Sequence, residues 1–109
     1  MAYKSIVAMV KPDLTDTVIK AAKEAGATGA TIIPASGTGA HEAKTFFGLS
    51  LDIRTDVAII LVDDTIVEPV LTAIKEAGRF NEPGTGIAFV LAVEQTAGFE
   101  SQLSKSQRS

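Results

Sequence analysis

Three short glycine-bearing segments hold the clearest chemical signal in this 109-residue chain: Ala27-Thr-Gly-Ala-Thr31, Ser36-Gly-Thr-Gly39 and Pro83-Gly-Thr-Gly86. Glycine lets backbone N–H groups approach a ligand closely and form the concave nest that binds anions. Threonine adds a hydroxyl that can donate to phosphate or ribose oxygens. One Gly-Thr-Gly is equally a plain turn. Two of them, each at the end of a predicted strand, carry more weight but name no ligand. His41 beside Glu42 has the groups for acid–base work, and the same pair suits a solvated loop. Asp63-Asp64 could hold magnesium, yet a helix start with its dipole explains the pair equally. Phe46 and Phe47 are two of six aromatic residues; they either cap the core or anchor a partner or a nucleobase.

Composition narrows the chemistry. The chain has no cysteine, no tryptophan and a single histidine, which removes disulfides, thiolate nucleophiles and sulfur-based zinc sites. Thirteen acidic residues against ten Lys and Arg give a net charge of −3, which argues against a nucleic-acid surface. With 46% apolar and 21% charged residues the chain has the makeup of one folded domain rather than a disordered segment. The apolar run Ile6–Val10 is too short for a signal-peptide core, and no stretch approaches a membrane span. A cytoplasmic protein without membrane insertion is the expectation. The polar stretch 96–109 reads as a C-terminal tail and 1–95 as the domain.

The elements that would position the glycine loops are written twice. Val18-Ile-Lys-Ala-Ala-Lys-Glu-Ala-Gly26 resembles Val70-Leu-Thr-Ala-Ile-Lys-Glu-Ala-Gly78 at a spacing of 52, and Ile6–Val10 matches Ala58–Val62 at the same spacing. Each copy predicts a strand and then a helix. Asp13 or Thr15 is expected to cap the first helix and Asp64 or Thr65 the second, with Pro69 inside the first turn. Gly26 and Gly78 are expected to end the helices in left-handed conformation. Further strands are predicted at about 30–34 and 87–93. The alternation Leu49, Leu51, Ile53 extends the third strand back to Leu49 and leaves a loop over 37–48. The resulting fold class is α+β: a ferredoxin-like βαββαβ sandwich, an antiparallel sheet with two helices on one face. Val57, Ile59 and Leu61 make the other face apolar, so the chain is expected to oligomerise through it.

With these pieces in place the chain resembles the PII signal-transduction superfamily over about residues 3–95. The resemblance is carried by Val10-Lys-Pro12, Gly26-Ala-Thr-Gly-Ala-Thr31, Gly37-Thr-Gly39, Val62-Asp-Asp64 and Gly84-Thr-Gly86 before Phe89. It implies a homotrimer of ferredoxin-like subunits with adenine nucleotides in the clefts between them. It also implies an effector loop at about 37–55, with His41, Lys44, Phe46, Phe47 and Arg54, that contacts a membrane transporter or metabolic enzyme. On this analogy Gly29 and Thr31 border the adenine, while Gly37, Thr38, Gly39, Gly84, Thr85 and Gly86 border ribose and phosphates. No catalytic residue, metal or cofactor is implied; the ligand would be ADP, AMP or ATP.

The departures from the family pattern concern cations. Ile87 stands where the family has a lysine, and Glu94-Gln-Thr-Ala-Gly-Phe-Glu100 stands where it has arginines. Thr55-Asp56 replaces a lysine before the third strand, and Ala40-His41 replaces arginine and glutamine in the effector loop. The loop is also shorter and lacks the tyrosine that some members modify. A triphosphate needs clamping cations; Lys44, Arg54 and Arg79 remain as candidates. A nucleotide with fewer phosphates, or another small anion, is therefore expected. Two other readings share the architecture: a small ferredoxin-like enzyme of isomerase, oxygenase or acylphosphatase type, and an ACT-like amino-acid-binding regulatory domain.

Overall fold

The computed structural model describes residues 2–36 and 54–98 in full and the backbone at 45–46 and 49–50. Strands β1 (Tyr3–Val10), β2 (Thr31–Ser36), β5 (Arg54–Asp63) and β6 (Gly86–Ala92) form one sheet in the order β2-β5-β1-β6, with every neighbouring pair antiparallel. Helices α1 (Thr15–Glu24) and α2 (Val67–Ala77) connect β1 to β2 and β5 to β6. This is the expected ferredoxin-like arrangement. A small hairpin of β3 (Thr45–Phe46) and β4 (Leu49–Ser50) interrupts the β2–β5 connection. The alternation from Leu49 thus belongs partly to a separate two-stranded unit, and the central strand starts at Arg54 rather than at Leu49.

Alternation assigns the two faces of the sheet. Ile6, Ala8, Val10, Ala58, Ile60 and Val62 are buried and join Val18, Ala22, Val70 and Ile74 of the helices in one core. Each fully buried aliphatic side chain contributes about 1.5–3 kcal/mol over leaving it in water. Both helices therefore lie on one face. On the other face the register lines up Ile33, Val57, Met9 and Ile87 in one row and Thr31, Ile59, Val7 and Phe89 in the next. Ile33, Phe89 and Leu91 remain 45%, 36% and 50% exposed, so an apolar surface stays bare in the single chain. Pro34 lies in the edge strand β2, where a missing N–H is tolerated.

The internal repeat is visible in the ladder. Val7 faces Ile59, its counterpart 52 residues on, and the pairs either side are related by the same shift: Ile6 with Ile60, Ala8 with Ala58. The central β1–β5 register is symmetrical about that one pair.

The helix starts differ from the sequence expectation. Neither Asp13 nor Thr15 caps α1; its N-cap residue is Leu14, which makes no side-chain cap. Pro12 opens a 3₁₀ turn, Pro12–Leu14, and sets the backbone for the helix behind it. Thr15 is the first helical residue, and its hydroxyl donates to Asp56 Oδ2 at 2.6 Å, so β5 adds a carboxylate to a helix start that already carries Asp16 in its first turn. At the second start Asp63, one residue before the expected pair, accepts from the Thr65 N–H at 2.9 Å and from its hydroxyl at 2.8 Å. Pro69 does fall in the first turn of α2.

Candidate functional site

Antiparallel topology divides the molecule into two ends. The C-terminal ends of β1 and β2, the starts of β5 and β6, the start of α1 and the finish of α2 lie together. The loop 78–86 belongs to this end, where the register runs Pro34, Asp56, Val10, Gly86 across the sheet. The chain continues from Ser36 at the same end. Gly26 to Thr31 and the Asp63 turn lie at the opposite end.

Loop 78–86 is a closed hydrogen-bonded unit. The Arg79 N–H donates to Glu76 O at 3.2 Å and the Phe80 N–H to Lys75 O at 3.0 Å, the two bonds of a Schellman helix stop. The left-handed residue of that stop is Arg79, at φ 57°, whereas Gly78 has φ −85°. The expectation for Gly78 is thus corrected. α2 runs one residue further than α1, so the glycine falls at the C-cap and the arginine takes the turn. Gly78 serves space instead: a Cβ there would overlap the Phe80 ring. The Arg79 carbonyl then accepts the Glu82 N–H at 2.9 Å and the Thr85 hydroxyl at 2.6 Å. That hydroxyl also lies 2.9 Å from Glu82 O.

Each member of Gly84-Thr85-Gly86 consequently has a local task. Gly84 has φ 77°. Thr85 is 6% exposed, with its hydroxyl turned into the loop. Gly86 leaves no room for a Cβ, which would overlap the carbonyl oxygen of Met9. The side chain of Thr85 is occupied, so the tripeptide offers backbone and shape at its surface. Nearby, the Thr55 hydroxyl donates to Val10 O at 2.9 Å. Arg54 and Thr55, assigned to the loop from sequence, open β5. The cations described at this end are Lys11, Arg54, Lys75 in the last turn of α2, and Arg79. Lys11 lies in the Val10-Lys-Pro12 run, and the passage from strand end to helix start is the sequence signal that marks it.

At the opposite end Gly29 stands in open space and Thr31 is exposed at the start of β2. Thr31 and Ser36 are five strand steps apart, roughly 16 Å at the usual rise. β2 and β6 are the two edges of the sheet, roughly 14 Å apart at ordinary strand spacing. One chain therefore does not bring Gly29 and Thr31 together with Gly84–Gly86. Gly37, Thr38, Gly39, His41, Lys44 and Phe47 lie outside the described residues, and Phe46 is described only as a backbone member of β3.

The opposite end has a recess of about 150 Å³ lined by Tyr3, Gly26, Ala27, Thr28, Leu61, Val62, Asp63 and Ile66. Asp63 has a pKa below the usual aspartate value, chiefly because its carboxylate accepts the Thr65 backbone N–H, with the Thr65 hydroxyl adding to it. A carboxylate satisfied by a turn in this way is doing the work of a cap. Among the described residues no helix is long and apolar enough to cross a membrane.

The family model described as nitrogen regulatory protein P-II matches residues 3–101. The nitrogen regulatory protein P-II of Rhodospirillum rubrum is 33% identical over 97 residues, covering 84% of this chain and 87% of the relative. Nitrogen regulatory protein GlnK2 of Haloferax mediterranei is 34% identical over 96 residues, covering 84% and 78%. Among solved structures, Arabidopsis thaliana PII bound to citrate matches with a TM-score of 0.66 and 28% identity, covering 84% of this chain and 78% of that one.

Proposed function

Because this chain belongs to the nitrogen regulatory protein P-II family, we propose that it senses a small anionic ligand in clefts between the subunits of a homotrimer. The bound state is passed to a partner protein, a membrane transporter or metabolic enzyme, through the connection between β2 and β5. The observation that carries this reading is the separation of the glycine segments. Gly29 and Thr31 stand at the opposite end and edge of one sheet from Gly84–Gly86, and that sheet has a bare apolar face. A second copy packed on that face is the economical way to complete a site from both ends. Citrate in the Arabidopsis relative supports an anion as the class of ligand.

Electrostatics favours a ligand with fewer charges than ATP. Ile87 pairs with Met9 in an apolar row, and Asp56 puts a carboxylate at the glycine-loop end. A lysine at either position would have attracted phosphate; these residues do not. ADP, AMP or a comparable small anion is the better match. Calorimetric titration with ATP, ADP and AMP, with light scattering for the mass of the assembly, tests the reading. AMP or ADP binding more tightly than ATP to a trimer is expected. Tight magnesium-dependent ATP binding would remove the charge argument, and a monomer with no anion affinity would remove the whole reading.

A further inference from the structure

We infer that Arg79 is the ligand-binding cation of the glycine-loop end: its guanidinium takes the oxyanion, phosphate or carboxylate, of whatever that end binds. This rests on the anion-sensing reading above. Arg79 is the only non-glycine residue with positive φ among the described residues. The left-handed region crowds a Cβ, and this chain fills the matching position after α1 with Gly26. The second helix has a glycine available one residue earlier, and an arginine nevertheless takes the strained place. An outlier of this kind, retained where glycine would relieve it, points to a task other than folding.

The task follows from what surrounds it. Glu82 and Thr85 both bond to the Arg79 carbonyl, so its Cα is tied to the loop that presents Gly84 and Gly86. Its side chain is exposed and makes no ion pair with a described residue, although Glu76 and Glu82 are each three positions away. The finish of α2 already has Lys75 in its last turn, so the helix dipole does not require another cation. Within the loop, threonine and glycines are committed to shape, and Ile87 beyond it is apolar. Arg79 is the one group in residues 78–87 with positive charge. Guanidinium binds carboxylate and phosphate oxygens through paired, charge-assisted hydrogen bonds, which suits a planar or tetrahedral oxyanion equally.

Full-length wild type, Arg79→Gly and Arg79→Lys, compared by thermal melting and by titration with AMP, inorganic phosphate, citrate and uncharged adenosine, provide the test. Arg79→Gly keeps the left-handed turn, so its melting temperature should rise by a few degrees while its affinity for the anion that wild type binds falls at least tenfold. Arg79→Lys should retain part of that affinity, and any adenosine binding should be unchanged by either substitution. AMP and citrate arms separate a nucleotide phosphate from a free carboxylate. Arg79→Gly binding the anion within twofold of wild type overturns the assignment, as does a fall in its melting temperature, which would make Arg79 a structural residue. Wild type binding none of the anions defeats the anion-sensing reading and this one together; wild type binding with an indifferent Arg79→Gly defeats this one alone.

Discussion

The half from Tyr3 to Ser36 and the half from Arg54 to Ala92 run in step through strand and helix, then part. From Gly26 the chain reaches Thr31 in five residues; Thr31 faces Ile59. From Gly78 it takes eleven residues to reach Phe89, which faces Val7, the counterpart of Ile59. The first half closes its helix with Gly26 at φ 125° and goes straight into the edge strand. The second half closes with Arg79 and builds a hydrogen-bonded loop before its strand. At the residue after the left-handed one, the first half has Ala27 beside an open recess, and the second has Phe80 packed against the core between Gly78 and Gly86. A repeated framework thus carries one plain connection and one elaborated one, and the added residues are those to which we assign the ligand-facing role.

The sharpest way to break the comparison is at Gly86. Gly86→Ala should cost about 3 kcal/mol in urea unfolding, because the obstacle is the backbone of Met9 and relief means parting β1 from β6. Thr28, in the plain connection between Gly26 and β2, should change by no more than about 0.5 kcal/mol as Thr28→Ala. Phe80→Ala should cost about 2 kcal/mol, less than a fully buried ring would. The reverse experiment, Ala27→Leu, fills the recess of the first half and should gain about 0.5–1 kcal/mol by the same assay. Gly26→Ala should cost about 1 kcal/mol through its φ alone, since the nearest atom to a Cβ there is the flexible end of Ile66 at 3.2 Å. Equal effects of Gly26→Ala and Gly86→Ala would contradict the distinction between a glycine kept for its angle and one kept for space.

The smallest effect concerns the two helix entrances, Pro12 in the first half and Asp63 in the second. The folded-state pKa of Asp63 is lowered, so its cap is fully present above the ordinary aspartate value, near 3.8, and is lost as pH falls through the lowered one. Asp63→Ala should therefore flatten the loss of melting temperature below about pH 4 and leave the difference from wild type constant at neutral pH. A difference that grows above pH 6 would be inconsistent with this cap.

The framework was legible in the sequence because it rests on repetition and alternation. The shift of 52, the apolar runs and the Lys-Glu-Ala-Gly endings are enough to mark the strands, the helices and the bare face. The capping details were not legible, since Thr15 finds its acid in Asp56, forty-one residues away, and no local pattern announces such a bond. Nor does spacing show that α2 runs one residue longer and hands the left-handed place to Arg79. For the same reason Gly-Thr-Gly looks alike whether its glycines serve a ligand or a tight strand approach. The hydroxyl of Thr85 turning inward became visible only with the loop folded.

Pro34 has a consequence for how copies of this chain can meet. An edge strand that exposes Ile32 and Ile33 offers a template for open-ended strand addition, the route to fibres. A proline in the middle of that edge withholds one ladder donor and interrupts the template. The rim of the sheet is thereby disfavoured as a surface for association relative to the flat apolar side, on which growth would stop once that side is covered. A single imino acid helps keep self-assembly finite.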